Sequence, residues 1–288
     1  MREVIGVHAA PRGHWVGDGF PVRSLFSHMS HGAQVSPFLL LDYAGPAEFT
    51  PADAPRGVGV HPHKGFETVT IVFEGEVEHH DSTGAGGKIG PGDVQWMTAA
   101  SGILHKEFHS VDFTRTGGPF EMVQLWVNLP ARDKAADPGY QTLTAGSIPT
   151  VALDGGAGGA RVIAGELLGV RGPAKTFTAI NLWDLRLTPG RPVALTPPDG
   201  HTVLVANLSG AATINGGTTL GEAEFAVLSR EGGAFEIEAR SEAKVLVLTG
   251  QPIDVPVVMH GPFVMNTMDE IRAAIVDFQS GRFGEIAA

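Results

Sequence analysis

Two histidines separated by one residue, His61-Pro62-His63, are followed about forty residues later by His105-Lys106-Glu107. In an extended strand residues i and i+2 point to the same side, with Cα atoms about 6–7 Å apart. Two such strands lying side by side would bring three imidazoles and one carboxylate onto a single ion. That donor set suits Fe, Mn, Co, Ni, Cu or Zn; it lacks the all-oxygen character that Ca or Mg prefers. Four protein ligands leave positions open on a metal that takes five or six, which is what substrate or O2 chemistry needs. An isolated His-x-His is more often ordinary packing than a ligand pair, but the downstream His-x-Glu and the glycine-rich turn between them favour the metal reading. Glu67 competes for the fourth position: it lies four residues after His63, on the same parity if the strand is regular, and could replace or assist Glu107.

The elements needed to hold these residues are strands. Phe66–Phe73, Glu121–Asn128, His201–Leu208 and Ala243–Thr249 alternate as strands do. Turn signals recur between them at Glu74-Gly75, Gly86-Gly87, Gly90-Pro-Gly-Asp93, Asn215-Gly216-Gly217 and Gly232-Gly233. Many short strands at this spacing predict an all-β sandwich or barrel. One helix closes the chain: Thr267-Met-Asp-Glu270 fits a capping box, Ile271, Ile275 and Phe278 share a face, and Gly281 sits where a C-terminal cap is expected. This helix is expected to pack outside a sheet.

A weak repeat is also visible. The segment from Phe66 to Val77 resembles that from Gly200 to Ala211, and Gly90-Pro-Gly-Asp93 corresponds roughly to Gly221-Glu-Ala-Glu224. Two tandem β-units follow, 1–140 and 141–288, with the Ala-, Gly- and Pro-rich stretch 131–160 between them and Gly155–Gly159 as an exposed loop. In the second unit the positions of His61 and His63 correspond to about Leu195 and Pro197. Those of His105 and Glu107 fall near Glu236 and Glu238, or one residue earlier at Phe235 and Ile237. Either way the imidazoles are gone, so the second unit should hold no metal.

The remaining candidates read as structural. Asp93 should bond backbone amides in its turn. Trp96 and Met97 belong in the barrel wall, and His201 is a lone histidine. His79 and His80 are adjacent and point to opposite faces, and His109 is expected to face solvent. Gly84–Gly87 has no following GK[ST] and is no phosphate loop; no serine sits in a G-x-S-x-G setting.

Composition narrows the function classes. With no cysteine among 288 residues, disulfides, thiolate metal sites and cysteine nucleophiles are excluded. The net charge of −11, with no basic cluster to offset it, argues against direct binding to nucleic acid or an anionic membrane. No apolar stretch reaches membrane-span length, and no signal peptide is visible at the N-terminus. A cytoplasmic location is expected.

Beyond spacing, the motifs carry a resemblance. His61–Thr70, Glu74–His79, Gly90–Ala99 and Gly102–Glu107 resemble the signature blocks of the pirin family. Gly17–Arg23, Pro37–Asp42 and His260–Asn266 extend the likeness over nearly the whole chain. The resemblance implies a bicupin: two double-stranded β-helix barrels, the N-terminal one binding a metal, commonly iron. By the same resemblance the ligands are His61, His63, His105 and Glu107, which prefers Glu107 to Glu67 as the fourth. It further implies quercetinase-type activity, the O2-dependent opening of a flavonol ring, with a small aromatic substrate and Glu107 as general base. Some pirins act instead as redox- or metal-sensing regulators through protein partners, and a metabolite-binding cupin with a structural metal is a third reading. A monomer is expected.

Overall fold

The computed structural model describes residues 1–9 and 12–286. The chain is built from antiparallel strands arranged as two compact units, each with a seven-stranded and a four-stranded sheet. The division is less simple than one cut near residue 140. One unit comprises 13–23, 41–145 and 253–288; the other comprises 1–12, 24–40 and 146–252. Each unit therefore combines segments from both halves of the chain, and a local reading of alternation carries no information about such exchanges.

In the unit containing His61, the four-stranded sheet runs in the order Gly57–His63, Ile103–His109, Val77–Asp81, Gly86–Ile89. Its seven-stranded sheet runs Gly139–Leu143, Val94–Thr98, Phe66–Glu74, Gly118–Asn128, Phe38–Phe49, Phe20–Ser27, His14–Val16. The strands at Phe66–Glu74 and Gly118–Asn128 extend the predicted ones by a residue or more at an end. The stretch 131–160 is no linker, because Gly139–Leu143 pairs with Val94–Thr98 as an edge strand. Asp93 closes its turn as expected: its carboxylate accepts from Gly90 N (3.0 Å) and from Ala145 N (2.7 Å). Trp96 and Met97 are fully buried.

The C-terminal helix covers Met268–Gln279, and its capping box is complete: Thr267 Oγ1 accepts from Glu270 N while the Glu270 carboxylate accepts from Thr267 N. Ile271 and Ala274 are its buried residues; Phe278, 39% exposed, sits at the edge of the same face, its ring 6.3 and 6.0 Å from those of Phe263 and Phe283. Ile271 and Ala274 join Phe263, Met265 and Phe283, with Leu104 packed against the cluster. The helix thus braces the strand that carries His105.

The other unit repeats the plan. Its four-stranded sheet runs Val193–Leu195, Phe235–Ala239, Ala212–Ile214, Thr218–Leu220. The turn equivalent to Gly90–Asp93 makes the equivalent bond, Gly221 N to Glu224 Oε2 at 2.8 Å. Its interior is one apolar cluster that includes Trp183, Leu185, Val193, Leu195, Phe235 and Ile237. Leu195 lies across from Phe235 and Val193 from Ile237. Because His105 lies across from His61, Leu195 holds the His61 position as expected, and of the two alignments for the other pair the one at Phe235 and Ile237 is the inward one, while Glu236 and Glu238 are half-buried. Of the Gly155–Gly159 segment, 155 and 156 form an exposed turn, but Gly158 and Gly159 lie in the strand Gly158–Ala164. A side chain at Gly158 would meet the Arg186 carbonyl at 1.9 Å, which explains glycine there.

Candidate metal centre

The strand Ile103–His109 lies between Gly57–His63 and Val77–Asp81. Register on one side sets His105 opposite His61 and Ile103 opposite His63; on the other it sets His105 opposite Asp81 and Glu107 opposite His79. Alternate residues of the central strand, His105, Glu107 and His109, are buried, so one face of the sheet collects the chemistry. Between His105 and Glu107 the register to the Gly57–His63 strand slips, and Glu107 pairs with Val58. Gly59 and Val60, both exposed, oppose the single residue Lys106 there, a β-bulge of the kind common near sites.

Ring centroids of His61 and His105 are 4.1 Å apart, those of His61 and His63 4.9 Å, and those of His63 and His105 4.8 Å. Each ring is anchored through one nitrogen. His61 Nδ1 donates to the Gly59 carbonyl at 2.8 Å. His63 hydrogen-bonds the Pro262 carbonyl, and its Nδ1 is buried without a partner. His105 Nδ1 meets His79 Nδ1 at 3.3 Å, and its Nε2 is buried without a partner. Buried polar atoms are almost always bonded, so two bare imidazole nitrogens in a cluster whose ligand atoms lie within 4.8 Å of one another fit a metal ion.

Electrostatics agree with that fit. Burial, aided by His61, pushes the His63 imidazole down to about 3, and burial with the same neighbours holds His105 well below the usual histidine range. Both rings are neutral at physiological pH, which is the form that binds a metal. Glu107 is 4% exposed, and its two oxygens accept from Gln124 Nε2 (3.1 Å) and Thr70 Oγ1 (3.5 Å). It forms a second group of potential ligands with His79 and His105.

Glu67 belongs elsewhere. Lys64 and Gly65 break the strand between His63 and Phe66, with Gly65 at φ +90°, so parity does not carry across. Thr70 reaches Glu107, and Glu67, an odd number of residues away, lies on the opposite face of its sheet. There it is 1% exposed and accepts from Thr98 Oγ1 at 2.7 Å, and burial pushes it up to about 7.

Several residues near the centre escaped the sequence reading. Thr70 lies across from both Gln124 and Gln95, which places all three on the Glu107 face. Tyr140 stacks on His79 at 5.1 Å and donates to Gln95 Oε1 at 3.3 Å. His109 does not face solvent: it is 2% exposed, donates through Nε2 to the Gly19 carbonyl at 2.9 Å, and packs between Phe49 and Phe120. His201, as expected, is a lone histidine, near Thr249.

Two family models match the chain in tandem. The family model described as Pirin matches residues 19–127, and that described as Pirin C-terminal cupin domain matches residues 182–284. A Pseudomonas aeruginosa protein provisionally named quercetin 2,3-dioxygenase is 56% identical over 98% of this chain and 99% of its own. Human Pirin is 38% identical over 87% of this chain and 83% of its own. The crystal structure of quercetin 2,3-dioxygenase from Acinetobacter baumannii superposes with a TM-score of 0.97, at 52% identity and full coverage of both chains. Both barrels are thus cupin-type domains, and the chain belongs to the pirin family.

Proposed function

We propose that this protein is a metal-dependent dioxygenase of quercetinase type, opening a flavonol ring with O2 at one centre held by His61, His63, His105 and Glu107. The observation that carries the reading is the grouping of His61, His63 and His105 with ligand atoms within 4.8 Å of one another and bare buried nitrogens on His63 and His105; Glu107, two residues on from His105 along the same strand face, falls in a group with His105 and His79. The names of the Pseudomonas and Acinetobacter relatives support the reaction class. A divalent transition metal, iron first and Mn, Ni, Co, Cu or Zn on the same donors, would supply Lewis-acid and O2 chemistry.

The chain's own residues do the rest. The depressed basicity of His63 and His105 keeps them unprotonated as ligands. Glu107 is held by Gln124 and Thr70 and is the general base for the flavonol hydroxyl proton. Phe66 and Trp126 lie against the His63 ring at 5.0 and 5.3 Å and offer aromatic surface to a flat substrate. Thr68 Oγ1, Gln95 Nε2 and Trp126 Nε1 are buried without partners within the protein, on the face that Thr70 shares with Glu107. They suit the oxygens of a polyhydroxylated aromatic ligand. The test is to strip the protein with chelator, reload it, and follow loss of quercetin absorbance in air. Turnover should vanish on stripping and return on reloading. A fully loaded protein without turnover would overturn the dioxygenase reading and favour a regulatory role through protein partners.

A further inference from the structure

His105 is met from behind by a hydrogen-bonded chain that ends on a buried carboxylate. Asp81 Oδ1 accepts from Thr83 N (2.8 Å), Thr83 Oγ1 (2.6 Å) and Ala85 N (3.3 Å), so the carboxylate is fixed in its turn. Its Oδ2 lies 3.2 Å from His79 Nε2, and neither side chain has any exposed surface. His79 Nδ1 lies 3.3 Å from His105 Nδ1. Tyr140, stacked on His79 with planes 20° apart, holds that ring's orientation.

Proton positions along this chain follow from Asp81. A carboxylate only accepts, so His79 carries its proton on Nε2. A neutral imidazole has one N–H, which leaves His79 Nδ1 as an acceptor and puts the His105 proton on Nδ1. His105 Nε2 then presents its lone pair, and that is the buried nitrogen with no partner in the protein. The swapped arrangement, with Nε2–H on His105, would set a bare His79 Nε2 against the carboxylate, lone pair to lone pair.

We infer that Asp81, acting through His79, fixes the tautomer of His105 that offers Nε2 to the metal, making Asp81 and His79 positioning residues of the centre. The inference rests on His105 being a ligand, as proposed above. An outer partner of this kind typically affects metal affinity by about 10–100-fold. In Asp81→Asn the amide can keep its oxygen on Thr83 and Ala85 but turns an NH2 toward His79. That favours Nδ1–H on His79 and drives the His105 proton onto the ligating nitrogen.

The test combines two readouts on the full-length protein: imidazole 15N tautomers by NMR, and zinc affinity by competition titration. Metal-free wild type should show Nδ1–H on His105 and Nε2–H on His79. Asp81→Asn should shift His105 toward Nε2–H and weaken zinc about 10–100-fold with unchanged stoichiometry. If Asp81→Asn does not fold, His79→Phe, which removes the acceptor, should show the same loss of zinc affinity and a mixed His105 tautomer. Unchanged tautomer and affinity in the folded variant would overturn the inference, as would zinc bound directly to His79 in the loaded wild type. The underlying ligand set is checked separately by His61→Ala: wild-type zinc affinity in that variant would sink the ligand set itself, whatever the tautomers show.

Discussion

Burial decides the protonation of this centre before any metal arrives. His63 and His105 are desolvated among other imidazoles, so their neutral forms are favoured and their lone pairs are available. Glu107 is held by two neutral donors, Gln124 Nε2 and Thr70 Oγ1. Glu107→Gln should therefore retain part of the bound metal and lose ring opening; full turnover in that variant would remove Glu107 from the base role. Glu67 makes an independent prediction. Its folded pKa, about 7, lies above the ordinary 4.5, so the folded state binds more protons than the unfolded one between those values. Its cost is absent below pH 4.5 and grows as pH rises to 7. Glu67→Gln should stabilise the protein at pH 7.5 by up to about 3 kcal/mol and do little at pH 4.5; denaturant melts at both pH values measure it. The spacing of His61, His63, His105 and Glu107 was legible because each pair lies within three residues of sequence. Thr70 and Gln124 were not, since only strand register brings them to Glu107. His79 and Asp81 share the same i, i+2 spacing and could have been found by the rule that singled out His61, His63, His105 and Glu107. His109 obeyed it too, on the inward face with His105 and Glu107.

Strand register and one turn carry the geometry at the scale of elements. The turn Lys64-Gly65 follows His63 directly and is held by the C-terminal hairpin: Lys64 N donates to the Pro262 carbonyl (3.2 Å), and Val264 N donates to the Lys64 carbonyl (3.0 Å). Buried Lys134 joins the two segments by donating to the Gly65 and Val264 carbonyls and to Asn128 Oδ1 at 2.7, 2.9 and 2.7 Å. Three acceptors match the three N–H groups of an ammonium. Gly65 adopts φ +90°, and an added Cβ would meet the Val264 carbonyl at 2.0 Å. Gly65→Ala should cost about 1–3 kcal/mol and weaken metal binding, because the hairpin must move away from His63. Equal metal affinity in that variant would show that the hairpin does not position the ligand. At the helix, Thr267→Ala should cost about 1 kcal/mol with no effect on metal content; thermal melts and elemental analysis read the two. The capping box was visible in sequence because its bonds are local. The recruitment of chain ends into opposite units was not, because it depends on pairing between strands more than a hundred residues apart.

The whole molecule is one plan used twice with different interiors. In the unit containing 146–252, Leu195 and Phe235 fill the places of His61 and His105 and Ile237 that of Glu107, and the interior is closed by aliphatic and aromatic packing. The repeat was legible from two strand–turn–strand segments, and the loss of histidines from the second was legible with it. The inward register of Phe235 over Glu236 needed the strand pairing. Among the described residues, both groups able to hold a metal lie between His61 and Glu107 and share His105, so one ion per chain is the expected load. The most direct measurement is elemental analysis of the purified protein beside His61→Ala and His105→Ala, each first shown to be folded. The account predicts close to one transition-metal ion per wild-type chain and a large loss in both variants; undiminished metal in both would contradict it.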